Sequence, residues 1–107
     1  MIGGNVQAIL QIKSEISSEI GESKYKWSNG IALNGYLDLS GGDSHYTAYN
    51  AKVQESTHIF LCDYVDMGSI NSRNSRLIIK DRIFDVVLID NPMELNKHLE
   101  IYLKLTE

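Results

Sequence analysis

The chain has 107 residues, 43% hydrophobic and 22% charged, the make-up of one globular domain and not of a disordered tail. Its net charge of −4 counts against a surface that grips nucleic acid tightly, because such a surface must neutralise phosphates. The single cysteine, Cys62, allows no intrachain disulfide, and no apolar run approaches the roughly 18 residues that suggest a membrane helix.

The opening MIGGNVQAIL lacks the basic segment and long apolar run of a signal peptide, so the expected site of synthesis and residence is the cytoplasm. Residues 6–20 then read in two ways. As a helix, Ile9, Ile12, Ile16 and Ile20 share one side, Asn5 caps the start and Gly21 ends it. As a strand, Val6, Ala8, Leu10 and Ile12 alternate with Gln7, Gln11 and Lys13. The polar–aromatic stretch 21–27 follows, ending in the turn signal Ser28–Gly30, so the strand reading makes a hairpin joined by residues 17–23. The hairpin is preferred and the helix stays open.

Residues 31–39 read as another strand, interrupted at Gly35 by a bulge. Residues 40–43 are a flexible break. Residues 44–55 read as a short helix, capped by Asp43 or Ser44, with Tyr46, Tyr49, Ala48 and Val53 on a partly apolar face. From His58 a strand points His58, Phe60, Cys62 and Tyr64 one way and Ile59, Leu61 and Asp63 the other. Residues 66–75 are a loop. Residues 76–80 and 83–90 form a hairpin turned at Asp81–Arg82, with Phe84, Val86 and Leu88 on one face and Ile83, Val87 and Ile89 on the other. Pro92 marks a turn. Leu99, Ile101, Leu103 and Leu105 then alternate with Glu100, Tyr102, Lys104 and Thr106, a half-buried antiparallel strand. The expected fold is mainly β with one short helix: a small antiparallel β-barrel, or barrel-like sandwich, with extended loops, in one domain spanning 1–107.

Residues 54–64, QESTHIFLCDY, gather Ser56, Thr57, His58, Cys62 and Asp63, the residue types of nucleophilic catalysis. On a strand, however, His58 and Cys62 stand about 13 Å apart at about 3.3 Å per residue, and Asp63 points to the opposite face. No glycine-flanked elbow surrounds Ser56. A structural strand is the better reading, and no catalytic residue is assigned. His45, His58 and His98 lack the short repeated spacing of a metal site, and Cys62 has no second cysteine. Asp81, Asp85 and Asp90 read as turn formers and solvated positions around a hairpin. The glycine pairs at 3–4 and 41–42 carry no phosphate-loop pattern. The thin basic cluster of Arg73, Arg76, Lys80 and Arg82 reads as a solvated hairpin tip. The aromatics Tyr25, Trp27, Tyr36, Tyr46, Tyr49, Tyr64 and Tyr102 fit either core edges or anchors at a protein interface.

The order of residues carries more. YKW, then GYLDLSGGD, then YNAKVQESTHIFLCDY, then IFDVVLIDNPMELNKHLEIYLK resembles the head–tail adaptor, or head-closure, proteins of tailed bacteriophages, from about Gln7 to Leu105. The strongest stretches are AKVQESTHIF and FDVVLIDNP with LEIYLK. The resemblance implies a small β-barrel with a helix and extended loops. Many copies would form a ring beneath the portal of a DNA-filled head, extend its channel, retain packaged DNA and offer a docking face to the tail. It implies no enzymatic activity, no cofactor and no membrane. The implied partners are a portal or adaptor ring, tail proteins, further copies of the chain, and DNA passing without sequence-specific binding. The implied location is the virion neck, after synthesis in the bacterial host cytoplasm.

On this resemblance the segment from Gly41 to Thr57 lies near the channel, with Gly41, Gly42, Asp43, His45, Tyr46, Tyr49 and Lys52 as candidate residues. Trp27, Arg73 and Arg76 are candidate interface residues. Ser56 and Thr57 are expected to satisfy open backbone groups at the end of the helix. A tail terminator or another neck protein is a neighbouring role. A small barrel that binds single-stranded nucleic acid or a small ligand is a reading of another class, and it requires a basic aromatic groove.

Overall fold

The computed structural model describes residues 6–17, 23–39 and 56–106. Alternation makes a strand of every long apolar run among them: β1 (Val6–Ser17), β2 (Ser23–Leu39), β3 (His58–Asp63), β4 (Ser75–Ile79), β5 (Arg82–Asp90) and β6 (His98–Leu105). They pair antiparallel in the order β1-β2-β3-β6-β5-β4, and β4 returns to β1 to close a barrel. The strand reading of residues 6–17 therefore prevails over the helix, and the mainly β barrel is the fold. The helix expected at 44–55 lies outside the described residues.

The inward side chains fill the barrel. β1 contributes Ala8 and Leu10, β3 Phe60 and Cys62, β4 Leu77 and Ile79, β5 Phe84 and Val86, and β6 Leu99, Ile101 and Leu103, all at most 5% exposed. One end is sealed by the loop 64–74, from which Tyr64, Val65, Met67 and Ile70 pack on this core. Asparagines hold that loop in shape: Asn71 Oδ1 accepts the Arg73 N–H at 2.9 Å and Asn74 Oδ1 accepts the Asn71 N–H at 2.9 Å.

Three local expectations are corrected. Ser28–Gly30 is no turn: β2 runs through it as one 17-residue strand, and the register slips opposite Leu10 and Gln11 so that Gly30 is the bulge. Gly35, expected at a bulge, pairs in register with Val6 and Cys62 and is needed because the β3 backbone approaches it closely. In β5 the register shifts between Val86 and Leu88, so Val87 is the extra residue and the faces exchange beyond it. Ile89, not Leu88, then packs on the core with Phe84 and Val86. The β4–β5 turn is also one residue earlier than expected. Lys80 and Asp81 connect Ile79 to its partner Arg82, with φ of 49° and 66°, as a two-residue type I′ turn requires.

β1 pairs with β4 only over Ile9–Ile12, with one further backbone bond from Lys13 N–H to the Asn74 carbonyl at 2.7 Å. β2 meets β3 only from Gly35 onward. Beyond those limits β1 and β2 pair with each other alone, as a ribbon that leaves the barrel at the end sealed by loop 64–74. β2 ends at Leu39, paired with His58, at the opposite end.

Candidate interaction surfaces

The polar run of β3 does not assemble a nucleophile and its base. His58 and Cys62 share the inner face of one strand, four residues apart, while Asp63 faces outward. The His58 ring meets the Phe84 ring edge-on, centroids 5.1 Å apart. Its Nδ1 lies 2.8 Å from Thr57 Oγ1. Thr57 in turn fastens the end of β6: its N–H donates to the Leu103 carbonyl at 2.7 Å, and its Oγ1 accepts the Leu105 N–H at 2.9 Å. The expected role of Thr57 in satisfying backbone groups holds, but the groups belong to a strand end. Cys62 is 1% exposed, and burial, helped by nearby Asp63, pushes its thiol up to about 11. At pH 8 that leaves about 100-fold less thiolate than an ordinary cysteine carries. Ellman's reagent at pH 8 is expected to leave the folded protein unmodified and to react at once in denaturant.

Two outer surfaces carry most of the unspent chemistry. The first runs along the ribbon. Gln11, Lys13 and Glu15 of β1 pair with Asn29, Trp27 and Tyr25 of β2, so all six share one face. Arg76 of β4 joins them opposite Gln11, whose Oε1 accepts its Nε–H at 2.8 Å. The Arg76 guanidinium lies 4.3 Å from the Trp27 ring centre, and Lys13 Nζ lies 5.8 Å from Trp27 and 4.7 Å from Tyr25. Cations and rings thus alternate as Arg76, Trp27, Lys13, Tyr25. Each such contact is worth about 0.5–1 kcal/mol at an exposed site.

The second surface is the outer wall of β2, β3, β6 and β5. Three adjoining rows of paired residues face outward there, Asp63 with His98; Tyr36, Leu61, Glu100 and Asp90; and Asp38, Ile59, Tyr102 and Leu88; beyond them Lys104 of β6 pairs with Asp85 of β5. The rows hold four carboxylates and neither lysine nor arginine. Glu100 is shared between His98 Nε2, at 3.2 Å, and the Tyr102 hydroxyl, which donates to it at 3.0 Å. Asp90 is raised above the ordinary carboxylate range by burial and by Glu100, against a smaller opposite pull from His98. A raised native value means the ionised form opposes folding. That penalty is absent below the unfolded value, about 3.9, grows as pH climbs above it and is complete once pH has passed the native value. Asp90→Asn is therefore expected to be more stable than the parent in urea at pH 7 and equal to it below about pH 3.

A cleft of about 370 Å³ lies between loop 64–74 and β5, lined by Tyr64, Met67, Ile70, Leu88 and Leu99 among others. Its volume falls in the range of ligand pockets. Its polar atoms already serve the loop, however: Asp66 Oδ1 accepts the Gly68 N–H at 3.0 Å and Asn71 Oδ1 the Arg73 N–H. Among the described residues no three His, Cys, Asp or Glu side chains gather as a metal site needs. No described helix is long and apolar enough to cross a membrane.

Of the interface candidates, the structure brings Trp27 and Arg76 together. Arg73 is exposed on the loop that leads into β4, at the ribbon end of the barrel. The basic cluster is not one hairpin tip: Lys80 occupies the turn, while Arg76 lies within β4 against the ribbon. The three aspartates do lie on the β4–β5 hairpin, Asp81 in its turn and Asp85 within β5, while Asp90 lies at the far end of β5, beside Glu100. The channel candidates Gly41, Gly42, Asp43, His45, Tyr46, Tyr49 and Lys52 lie outside the described residues. Lys13 and the acidic wall escape a reading by local spacing, since strand pairing between distant segments creates both.

No protein-family model matches this chain, and no curated protein sequence matches it. Solved structures share its fold. The solution structure of protein SF1141 from Shigella flexneri 2a superposes with a TM-score of 0.74 at 15% identity, over 97% of this chain and 94% of that one. A chain from the virion of a native gene transfer agent particle superposes with a TM-score of 0.62 at 12% identity, over 92% of this chain and 91% of that one. At these identities the likeness is one of fold, and the six-stranded barrel is what this chain has in common with both.

Proposed function

We propose that the chain is a structural protein of a phage, prophage or phage-like particle, acting in the head–tail connector. In this reading copies form a ring below the portal that closes the DNA-filled head and presents a docking surface to the tail, without enzymatic activity. The observation that carries the reading is the barrel shared, nearly end to end, with a chain from a gene transfer agent virion. The resemblance of residues 7–105 to head-closure proteins adds to it. The filled core is consistent with it as well: side chains occupy the barrel axis, so any DNA path must run between copies and not through one. The test is reconstitution. Tailless heads made without the chain should leak DNA and retain it once purified chain is added before tails. Heads that retain DNA without the chain would overturn the closure role, and a chain that binds only finished tails would point to a tail terminator.

A second reading is favoured by one observation. The strip of Arg76, Trp27, Lys13 and Tyr25 is a basic aromatic surface of the kind that single-stranded nucleic acid uses. It expects oligonucleotide binding that weakens steeply with salt and is lost in Lys13→Glu.

A further inference from the structure

The cationic–aromatic strip and the acidic wall occupy different strands and complement each other. We propose that the strip of one copy docks on the outer wall of β3 and β6 in a second copy, head to tail. The contact deepens the ring reading above by naming its two faces.

Charge selects this pairing. The wall offers Asp38, Asp63, Asp90 and Glu100 across three rows, with Lys104 only in the row beyond them and paired there with Asp85, and two of the four carboxylates already crowd each other. The strip offers Lys13 and Arg76. Wall against wall would oppose four carboxylates on each side, and strip against strip would leave Arg76 and Lys13 facing cations with only Glu15 to offset them, so strip against wall is the better charge match. Strip against wall is heterologous, and such a contact repeats from copy to copy. Apolar surface matches too. Tyr25 is 58% exposed on the strip and Tyr36 46% exposed on the wall, beside half-buried Leu61, Ile59 and Tyr102. The ribbon stands clear of its own barrel, which gives the strip access to a neighbour. A second copy fits better than nucleic acid because the chain's net charge of −4 repels phosphate as a whole, while the wall matches the strip in exposed aromatic surface as well as in charge.

The test is intermolecular paramagnetic relaxation in solution at millimolar protein. A nitroxide on Ser28→Cys, at the ribbon, labels one unenriched copy, while buried Cys62 stays unmodified. It is mixed with nitrogen-15-labelled chain. The expected result is loss of amide signal at Leu61, Asp63 and Glu100 of the enriched copy. The loss should vanish in 1 M salt, where the Debye length is about 3 Å. It should also vanish when the spin-labelled copy carries Lys13→Glu, and return when that copy meets a wall variant, Glu100→Lys. An unchanged amide spectrum shows that each variant is folded. No signal loss in the wild-type mixture, loss on the ribbon itself, or loss indifferent to both charge reversals would overturn the contact. Displacement of the second copy by a short oligodeoxynucleotide would also overturn it, in favour of nucleic acid. Reconstituted DNA retention in heads tests the connector role separately, so failure of the contact and failure of that role give different results.

Discussion

Phe84→Ala is expected to cost about 3–5 kcal/mol of folding stability. The ring is 0% exposed in β5, between partners Leu77 in β4 and Leu105 in β6, and it receives the edge of His58 from β3. Truncation therefore empties a volume bordered by four strands, and a closed barrel has little freedom to collapse into it. Against a total of about 5–15 kcal/mol for a domain of this kind, the loss is a large fraction. Urea unfolding should show a lower midpoint at unchanged slope. Ile59→Ala, on the outer face of β3 and only half-buried, should cost far less. Equal losses at the two sites would mean that the barrel core is not organised around Phe84.

Gly35→Ala is expected to be nearly as damaging, for the opposite reason. A Cβ at Gly35 would collide with the Leu61 carbonyl oxygen and stand 2.9 Å from the tip of the Phe60 ring. The obstacle is the backbone of a paired strand, so relief requires β2 and β3 to part where they pair. A cost at or above about 3 kcal/mol, the upper part of the range for overpacking, should appear in the same urea titration. Gly30→Ala is the control. There the nearest atom, at 2.7 Å, is the flexible end of Ile12, with the Leu10 carbonyl at 3.0 Å, and about 1 kcal/mol is expected. Reversal of that order would show that the close approach belongs to the bulge.

Much of this architecture was legible in the sequence. Leu99, Ile101 and Leu103 alternate without interruption and fold as the alternation says. Phe60 and Cys62 point inward, as their spacing from His58 implies. Errors arose where one residue breaks the period. Val87 carries no local mark of a bulge, because valine suits either face of a strand; only its pairing with β6 reveals it. Gly30 and Gly35 exchanged roles for a similar reason. A glycine announces that something unusual happens to the backbone, but whether a bulge or a close neighbour demands it depends on the strand opposite. The strip shows the same limit more sharply. Trp27 and Arg76 are both candidate interface residues by sequence, but they stand 49 positions apart, and nothing in either segment says that closure of the barrel stacks one on the other. Lys13 was seen only as a polar position in an alternating run.

Barrel closure also has a consequence for how the molecule opens. β4 is held by four residue pairs to β1 and four to β5, whereas β6 has six pairs on each side. The stave most easily released is thus β4, and its departure leaves β1, β2, β3, β6 and β5 joined as an open curved sheet. Amide protons of Leu77 and Ile78 should then exchange with solvent through a partial opening, ahead of those of Phe60 and Ile101, which wait for global unfolding.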